Sequence, residues 1–317
     1  FLFLDTARAM REAGLAEGVG DGWTRVVIEK PFGNDRASSD ALTQGMAQVF
    51  SEEQTYRIDH YLGKEIVQNL MVLRFANLIF DPIWNRSHIH DVRISWMEDL
   101  SLEGRAGYFD QYGIIRDVMQ NHLLQMMALV AMEQPLSLDA EDVRNEKVKA
   151  LRAIPPVELS NLIIGQYSEG HYAGRRHAPY REEKDVPRDS LCPTYAACLL
   201  HVRNRRWDGV PFLMRAGKGL NARMTEIRIR FQPVPGNIFA GTLRRFPPNE
   251  LVIRVQPDES IAFRIVNKAP GLDMTLEETR LDLRYAAAFD VEIPDAYESL
   301  LLDVLQGDKS LFIRADE

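Results

Sequence analysis

The second half of the chain alternates apolar and polar residues in several short runs, whereas the first half has apolar residues at helical spacing. Alternation with a period of two indicates strands that have one covered face. Helices that are followed by runs of strands predict an α+β domain with a mainly antiparallel sheet and helices on one face. The predicted strands include 225–231, 250–256 and 260–266, and the predicted helices preceding them are 63–75, 112–132 and 139–151.

The first 58 residues have a different pattern, in which helices alternate with a short strand. Apolar spacing predicts a helix at 6–17, a strand at 23–28 and a helix at 40–50. This order is typical of a Rossmann-like α/β domain, but the stretch is too short to form a complete nucleotide-binding domain. We therefore predict a domain remnant at 1–58 and a large second domain at 59–317.

Composition narrows the possible partners. The 317 residues carry a net charge of −8, which argues against nucleic acid and anionic membranes as partners, because both require a basic face. The apolar runs are shorter than the roughly 20 residues that a membrane-spanning helix needs. Cys192 and Cys198 are too few for a disulfide framework and lack zinc-ligand spacing, so we expect no metal and a reducing, cytoplasmic location. The Gly-, Arg- and Pro-containing segment 165–187 predicts a long loop.

The segment 57–65, Arg-Ile-Asp-His-Tyr-Leu-Gly-Lys-Glu, concentrates several chemically active side chains. Asp59 and His60 are adjacent and point to opposite sides of an extended chain. Lys64 follows His60 by four residues and shares a face with it if the chain is helical there. The pattern predicts that His60 and Lys64 bind one anion while Asp59 serves another centre; the alternative is a solvated turn.

His122 lies within the apolar stripe of the predicted helix 112–132, so its imidazole points towards the interior or a cleft. Histidine in such a position is often a structural core residue. Asp117 is about 140° away around an α-helix and is poorly placed to orient this ring. A carboxylate from elsewhere is needed, and Asp59 is the candidate. An Asp–His pair provides a general base for oxidation of a hydroxyl group.

Three segments together resemble the glucose-6-phosphate dehydrogenase family. They are the 57–65 block, Val-Val-Ile-Glu-Lys-Pro-Phe-Gly at 26–33 and Arg-Ala-Gly-Lys-Gly-Leu-Asn-Ala-Arg at 215–223. The resemblance implies that His122 is the proton acceptor and that Asp59 orients it. It also implies a set of substrate contacts: Lys30, His60, Tyr61, Lys64, Glu98, Asp117, Lys218, Arg223 and Gln256. His60 and Lys64, assisted by Tyr61, would bind the sugar phosphate, and Lys30 would also meet the nicotinamide.

The resemblance further implies oxidation of glucose 6-phosphate with NADP, NAD not being excluded, in a homodimer or homotetramer. Some members of the family hold a second, structural NADP against the sheet. Met224 and Ala262 stand where a lysine and a tyrosine are expected there, so we expect this nucleotide to be absent or weakly bound.

The glycine-rich turn that binds the pyrophosphate of the cofactor is not found before a helix here, and we expect the chain to be a fragment. Two alternatives therefore stay open. One is a non-catalytic module that binds a sugar phosphate. The other is a nicotinamide-dependent dehydrogenase that acts on a different sugar.

Overall fold

The computed structural model describes residues 2–18, 20–102, 104–172, 175–239, 241, 246–289 and 294–317. The chain forms two compact units, each built from separate stretches of sequence. Unit 1 comprises Phe1–Lys64, Met132–Leu151 and Pro294–Glu317, and unit 2 comprises Glu65–Ala131 and Arg152–Ile293. The domain boundary between residues 58 and 59 stays a prediction.

Helices dominate the first half of the chain and strands the second half, as the sequence pattern predicted. The helices are α1 (Phe3–Glu12), α2 (Arg36–Ala47), α3 (Glu65–Phe75), α4 (Ala106–Phe109), a π-helix (Ile115–Leu123), α5 (Leu124–Ala131), α6 (Ala140–Arg152), α7 (Tyr285–Ala288) and α8 (Ala296–Gln306). The strands are β1 (Val26–Ile28), β2 (Thr55–Arg57), β3 (Ile89–Met97), β4 (Leu162–Gly165), β5 (Gly170–Tyr172), β6 (Arg175–His177), β7 (Tyr195–His201), β8 (Pro211–Gly217), β9 (Met224–Phe231), β10 (Glu250–Gln256), β11 (Ser260–Lys268) and β12 (Leu276–Arg284). Short 3₁₀ turns lie at Asp81–Ile83, Leu159–Asn161 and Tyr180–Glu182.

Two local predictions were wrong. The helix predicted at 6–17 spans only Phe3–Glu12, because Gly14 has a φ of +72° and ends it. The segment predicted as a loop at 165–187 contains the antiparallel pair β5 and β6. Its glycines and arginines gave no alternating apolar pattern, so these strands had no hydrophobic signal.

Unit 1 contains a short parallel pair, β1 and β2, in which Val27 is opposite Tyr56. Helix α2 begins at a capping box. The Asp35 side chain accepts a hydrogen bond from the Ser38 amide, and the Ser38 hydroxyl accepts one from the Asp35 amide. Ile28, Met46 and Phe50 are buried in a cluster against which α1 and α2 pack. The carboxyl ends of β1 and β2 lead directly to Lys30 and Asp59.

Unit 2 is organised around an eight-stranded sheet in the order β12-β11-β10-β9-β3-β8-β7-β4. Strand β3 is central and pairs in parallel with β8, whereas the other described pairs of this sheet are antiparallel. The mainly antiparallel α+β architecture is therefore confirmed.

The two faces of this sheet differ in composition. Val92, Ile94 and Trp96 point to one face and are buried, and the π-helix and α3 pack against strands of the sheet. The opposite face carries arginines and carboxylates in alternating positions, including Arg228, which is paired with both Glu226 and Glu250. The period-two pattern arose from this division between an apolar and a charged face.

No helix within the described residues has the length and the apolar character that crossing a membrane requires.

Candidate active site

The segment after β2 forms two successive tight turns rather than a helix. The amide of Leu62 donates to the Asp59 carbonyl at 2.9 Å, and the amide of Lys64 donates to the Tyr61 carbonyl at 3.3 Å. The Asp59 carboxylate is buried, and its Oδ1 atom accepts a hydrogen bond of 2.9 Å from the Tyr61 amide. This side-chain turn fixes the carboxylate against its own backbone. Helix α3 begins at the next residue, Glu65.

His60 and Lys64 both contact aromatic rings within unit 1. The His60 ring lies 5.1 Å from the Tyr61 ring and stacks on Tyr297 at 5.8 Å with an interplanar angle of 11°. The Lys64 ammonium lies 5.5 Å from the centre of the Tyr61 ring. Tyr61 is buried, whereas His60 and Lys64 are partly exposed. An imidazole and an ammonium both carry N–H groups, which are the donors that an anion binds.

Tyr297 was missed by the sequence reasoning. It lies in the first turn of α8, far along the chain, and only a contact through space reveals its position beside His60. Gly63 permits this approach, because a Cβ atom at position 63 would clash with the carbonyl oxygen of Ala296. Burial raises the pKa of Tyr297 to about 12, and its hydrogen bond to Glu29 adds to the shift.

Lys30 lies just beyond the carboxyl end of β1 and is partly exposed. The Lys30–Pro31 bond is cis, which the sequence allowed. In open α/β sheets, ligands bind beyond the carboxyl ends of parallel strands. The position of Lys30 thus fits the approach of a nicotinamide.

In unit 2, His122 and Asp117 lie on the π-helix, and the prediction of their angular separation was wrong. It assumed α-helical geometry, whereas a π-helix bonds residue i to residue i+5. Residues five apart therefore lie nearly above one another along the helix axis. Asp117 and His122 consequently lie on the same side of the helix. His122 is 3% exposed, and Asp117 is partly exposed.

Glu98 and Lys218 form an ion pair of 2.9 Å between Oε2 and Nζ. The Lys218 ammonium also lies over the ring of Trp96 at 4.8 Å and that of Phe109 at 5.8 Å. The sequence singled out both charged residues but gave no reason to pair them. A lysine enclosed by a carboxylate and two aromatic faces is held in one place with N–H donors available.

The remaining predicted contacts lie at strand ends. Arg223 is exposed and precedes β9, and Gln256 is the last residue of β10. On the sheet, Arg228 is bonded to the buried carboxylate of Glu226 at 2.5 Å, and Arg254 contacts the same group at 2.9 Å.

Comparisons with known proteins relate both parts of this chain to one family. The model of the NAD-binding domain of glucose-6-phosphate dehydrogenase matches residues 1–69, and that of its C-terminal domain matches residues 71–317. Glucose-6-phosphate 1-dehydrogenase 3 of Arabidopsis thaliana is 55% identical over 319 residues, covering 100% of this chain and 53% of the relative. The Nicotiana tabacum enzyme is 56% identical, covering 98% of this chain and 53% of the relative. The chain thus spans about half the length of these curated relatives.

A solved glucose-6-phosphate dehydrogenase in complex with glucose-6-phosphate is 45% identical, with a TM-score of 0.91. The match covers 100% of this chain and 64% of that one.

The expectation of a cytoplasmic location was wrong. The Arabidopsis, Nicotiana, Spinacia and Solanum relatives, which are 53% to 56% identical, are chloroplastic proteins. Two free cysteines are compatible with any reducing compartment, so this chemical signal does not distinguish one from another.

The two domain matches together extend over nearly every residue and include the buried histidine, the aspartate turn and the ion-paired lysine. This chain belongs to the glucose-6-phosphate dehydrogenase family.

Proposed function

We propose that this chain carries the substrate-binding and catalytic part of a glucose-6-phosphate 1-dehydrogenase. The reaction oxidises β-D-glucose 6-phosphate at C1 to 6-phosphogluconolactone, with NADP as the oxidant. The observation that carries this proposal is the Asp59–Lys64 turn, in which a buried carboxylate is followed by an imidazole and an ammonium on aromatic supports. The comparisons do not favour a non-catalytic module, because the relatives are named as dehydrogenases.

His122 is the proposed general base. It accepts the proton as the O–H bond of the C1 hydroxyl breaks, while the C1–H bond breaks and its hydride leaves, so that the C1–O bond becomes a carbonyl. When bound, the nicotinamide supplies the acceptor for that hydride. An imidazole can accept and later release this proton, and Asp59 orients the ring and stabilises its charged form.

His60 and Lys64, assisted by Tyr61, bind the phosphate. Charge-assisted bonds to phosphate oxygens are strong, and the binding energy of this remote group helps to orient C1. Glu98 and Asp117 accept from sugar hydroxyls. Lys218, Arg223 and Gln256 complete the proposed substrate contacts, and Lys30 contacts both the substrate and the nicotinamide.

We further propose that a structural second nucleotide is absent or weak. Met224 offers no phosphate donor, and Arg228 and Arg254 are engaged by the buried carboxylate of Glu226. The preference for NADP over NAD, the lack of a metal and the assembly into homodimers or homotetramers are likewise proposals. Light scattering on the purified chain measures the last of these.

Calorimetric titration of the chain with glucose 6-phosphate tests the proposal, with glucose as the control ligand. We expect binding only when the phosphate is present. The variant Lys64→Ala should weaken it, and Lys149→Ala should not, because Lys149 is a surface lysine paired with Glu146. Equal binding of glucose and its phosphate, or equal effects of the two lysine variants, would contradict the assignment.

A further inference from the structure

The helix that carries His122 ends in three consecutive carbonyl groups, and each accepts a hydrogen bond from a buried side chain. Arg74 Nη1 donates to the Leu129 carbonyl at 2.5 Å. Trp84 Nε1 donates to the Val130 carbonyl at 2.9 Å, and Trp207 Nε1 donates to the Ala131 carbonyl at 2.9 Å. The last carbonyls of a helix have no intrahelical partner. Here side chains from three distant segments supply the donors.

The segments that carry these three donors are also in contact with one another. Both indole rings are fully buried, and Arg74 is 3% exposed. The Arg74 guanidinium lies 5.3 Å from the Trp84 ring, and Arg206 Nη1 donates to the Trp84 carbonyl at 2.9 Å. The Trp84 and Trp207 segments are joined again where the amide of Arg86 donates to the Arg206 carbonyl at 2.8 Å. We call Arg74, Trp84 and Trp207 the helix clamp.

The other end of the helix is also fixed. The amide of Ile114 donates to the Pro193 carbonyl at 3.0 Å. Gly113 has a φ of +67°, and a Cβ atom there would lie 3.2 Å from Pro193 Cδ, so the turn into the helix is closely packed. A helix that is bonded to its surroundings at both ends can neither slide nor rotate freely.

The π-helix Ile115–Leu123 lies between these two ends. Such helices are rare and are frequently found at functional sites. Conversion of this segment into an α-helix would change the rotation between its two ends. At least one set of terminal hydrogen bonds would then be broken. The clamp therefore opposes that conversion.

We propose that Arg74, Trp84 and Trp207 are positioning residues which hold the π register and thereby set the position of the His122 imidazole. The role of His122 as the base rests on the function proposed above, whereas the control of its position by the clamp does not. None of the three clamp residues needs to touch the substrate for this purpose. They act on His122 through the helix backbone.

NMR of the histidine rings tests the clamp directly. The His122 signal is assigned by its loss in His122→Gln, and its pKa is measured in Arg74→Met and Arg74→Lys. Methionine fills much of the same space without donors, whereas lysine restores a charged donor. We expect Arg74→Met to shift the His122 ring signals and pKa, and Arg74→Lys to return them towards those of the unsubstituted chain. The signals of His88 and His90 should stay unchanged.

Trp207→Phe and Trp84→Phe provide a second measurement, because phenylalanine retains an aromatic ring but has no N–H donor. Both variants should speed amide exchange in residues 113–131 and shift the His122 signal. Leu200→Ala, in the buried part of β7, is the control for general destabilisation and should lower the melting temperature without moving His122. If a tryptophan variant does not fold, the comparison of Arg74→Met with Arg74→Lys tests the proposal instead.

The clamp proposal would be overturned if its variants lowered the melting temperature but left the His122 signals and pKa unchanged. Titration of the unsubstituted chain with glucose 6-phosphate separates the two proposals. If the chain does not bind the sugar phosphate but the His122 signals change in Arg74→Met, the clamp proposal is supported and the proposed function is contradicted.

Discussion

The Asp59–Lys64 turn and the His122 helix achieve their geometry by different means. The turn is held largely by hydrogen bonds among its own residues, such as that from the Tyr61 amide to Asp59. The helix is held at its ends by partners that are distant in sequence, among them Trp84 and Trp207. A site whose contacts are local can be recognised in a short motif, whereas the register of a helix depends on the whole unit.

The largest effect is expected on turnover from His122→Gln, which removes the proposed base. General acid–base catalysis contributes about 10²–10⁴-fold to rates, so the rate at saturating substrate should fall by that order. The affinity for glucose 6-phosphate should change little. Steady-state formation of the reduced cofactor measures the rate, and a loss confined to KM would contradict the division between the helix and the turn.

Lys64→Ala should act mainly on affinity. A hydrogen bond to a charged group contributes about 1.5–3 kcal/mol, which corresponds to roughly 10- to 100-fold in the dissociation constant. Calorimetry gives this value directly, with Lys149→Ala as the control. If turnover at saturation fell as much as affinity, Lys64 would belong to the catalytic step as well.

Gly63→Ala tests the local packing of the turn. The added methyl group meets the carbonyl oxygen of Ala296, so the turn and the first turn of α8 must separate. Overpacking of this kind costs about 1–3 kcal/mol of unfolding free energy. Denaturant unfolding measures the cost. Gly165→Ala is the control, because a Cβ atom there meets no atom within 4 Å. Equal losses in the two variants would show that close approach to α8 is not what requires glycine.

Asp303→Asn should give the smallest effect, and it should be stabilising. Burial first, and then the charge of Asp308, raises the pKa of Asp303 to about 6 from 3.8. Because the folded state disfavours the ionised form, Asp303 destabilises the protein increasingly as the pH rises from about 4 to above 6. After allowance for solvent screening, asparagine should add about 1–2 kcal/mol at pH 7.

The gain from Asp303→Asn should vanish at pH 4, where aspartate is largely protonated in the folded state. Melting temperatures at the two pH values measure this dependence. An equal gain at both would assign the effect to packing rather than charge.

The sequence predicted much of the fold because its signals were periodic. Alternation identified strands β9, β10 and β11, and apolar spacing located α3, the His122 helix and α6 to within a few residues. Strands β5 and β6 were missed because their residues carry no apolar alternation. The π-helical geometry was missed because it is accompanied by hydrogen bonds to Trp84, Trp207 and Pro193. These residues are distant in sequence, so the apolar spacing within the helix gives no sign of them.

The residues of the candidate site likewise fall into those that the sequence could group and those that it could not. Asp59, His60, Tyr61 and Lys64 could be grouped from their spacing in one motif. Tyr297 could not, because its stacking on His60 joins residues separated by more than half the chain. The pairing of Glu98 with Lys218 likewise follows from strand register, in which β3 and β8 run in parallel.

Titration of glucose 6-phosphate by ³¹P NMR tests the central claim most directly, with the unsubstituted chain, Lys64→Ala and His122→Gln compared under one set of conditions. The account predicts that the phosphate signal shifts with the unsubstituted chain and with His122→Gln at similar affinity, and that the shift requires much more protein with Lys64→Ala. A phosphate signal that responded equally to all three proteins, or that was lost with His122→Gln alone, would contradict the assignment of phosphate binding to the turn and of proton transfer to the helix.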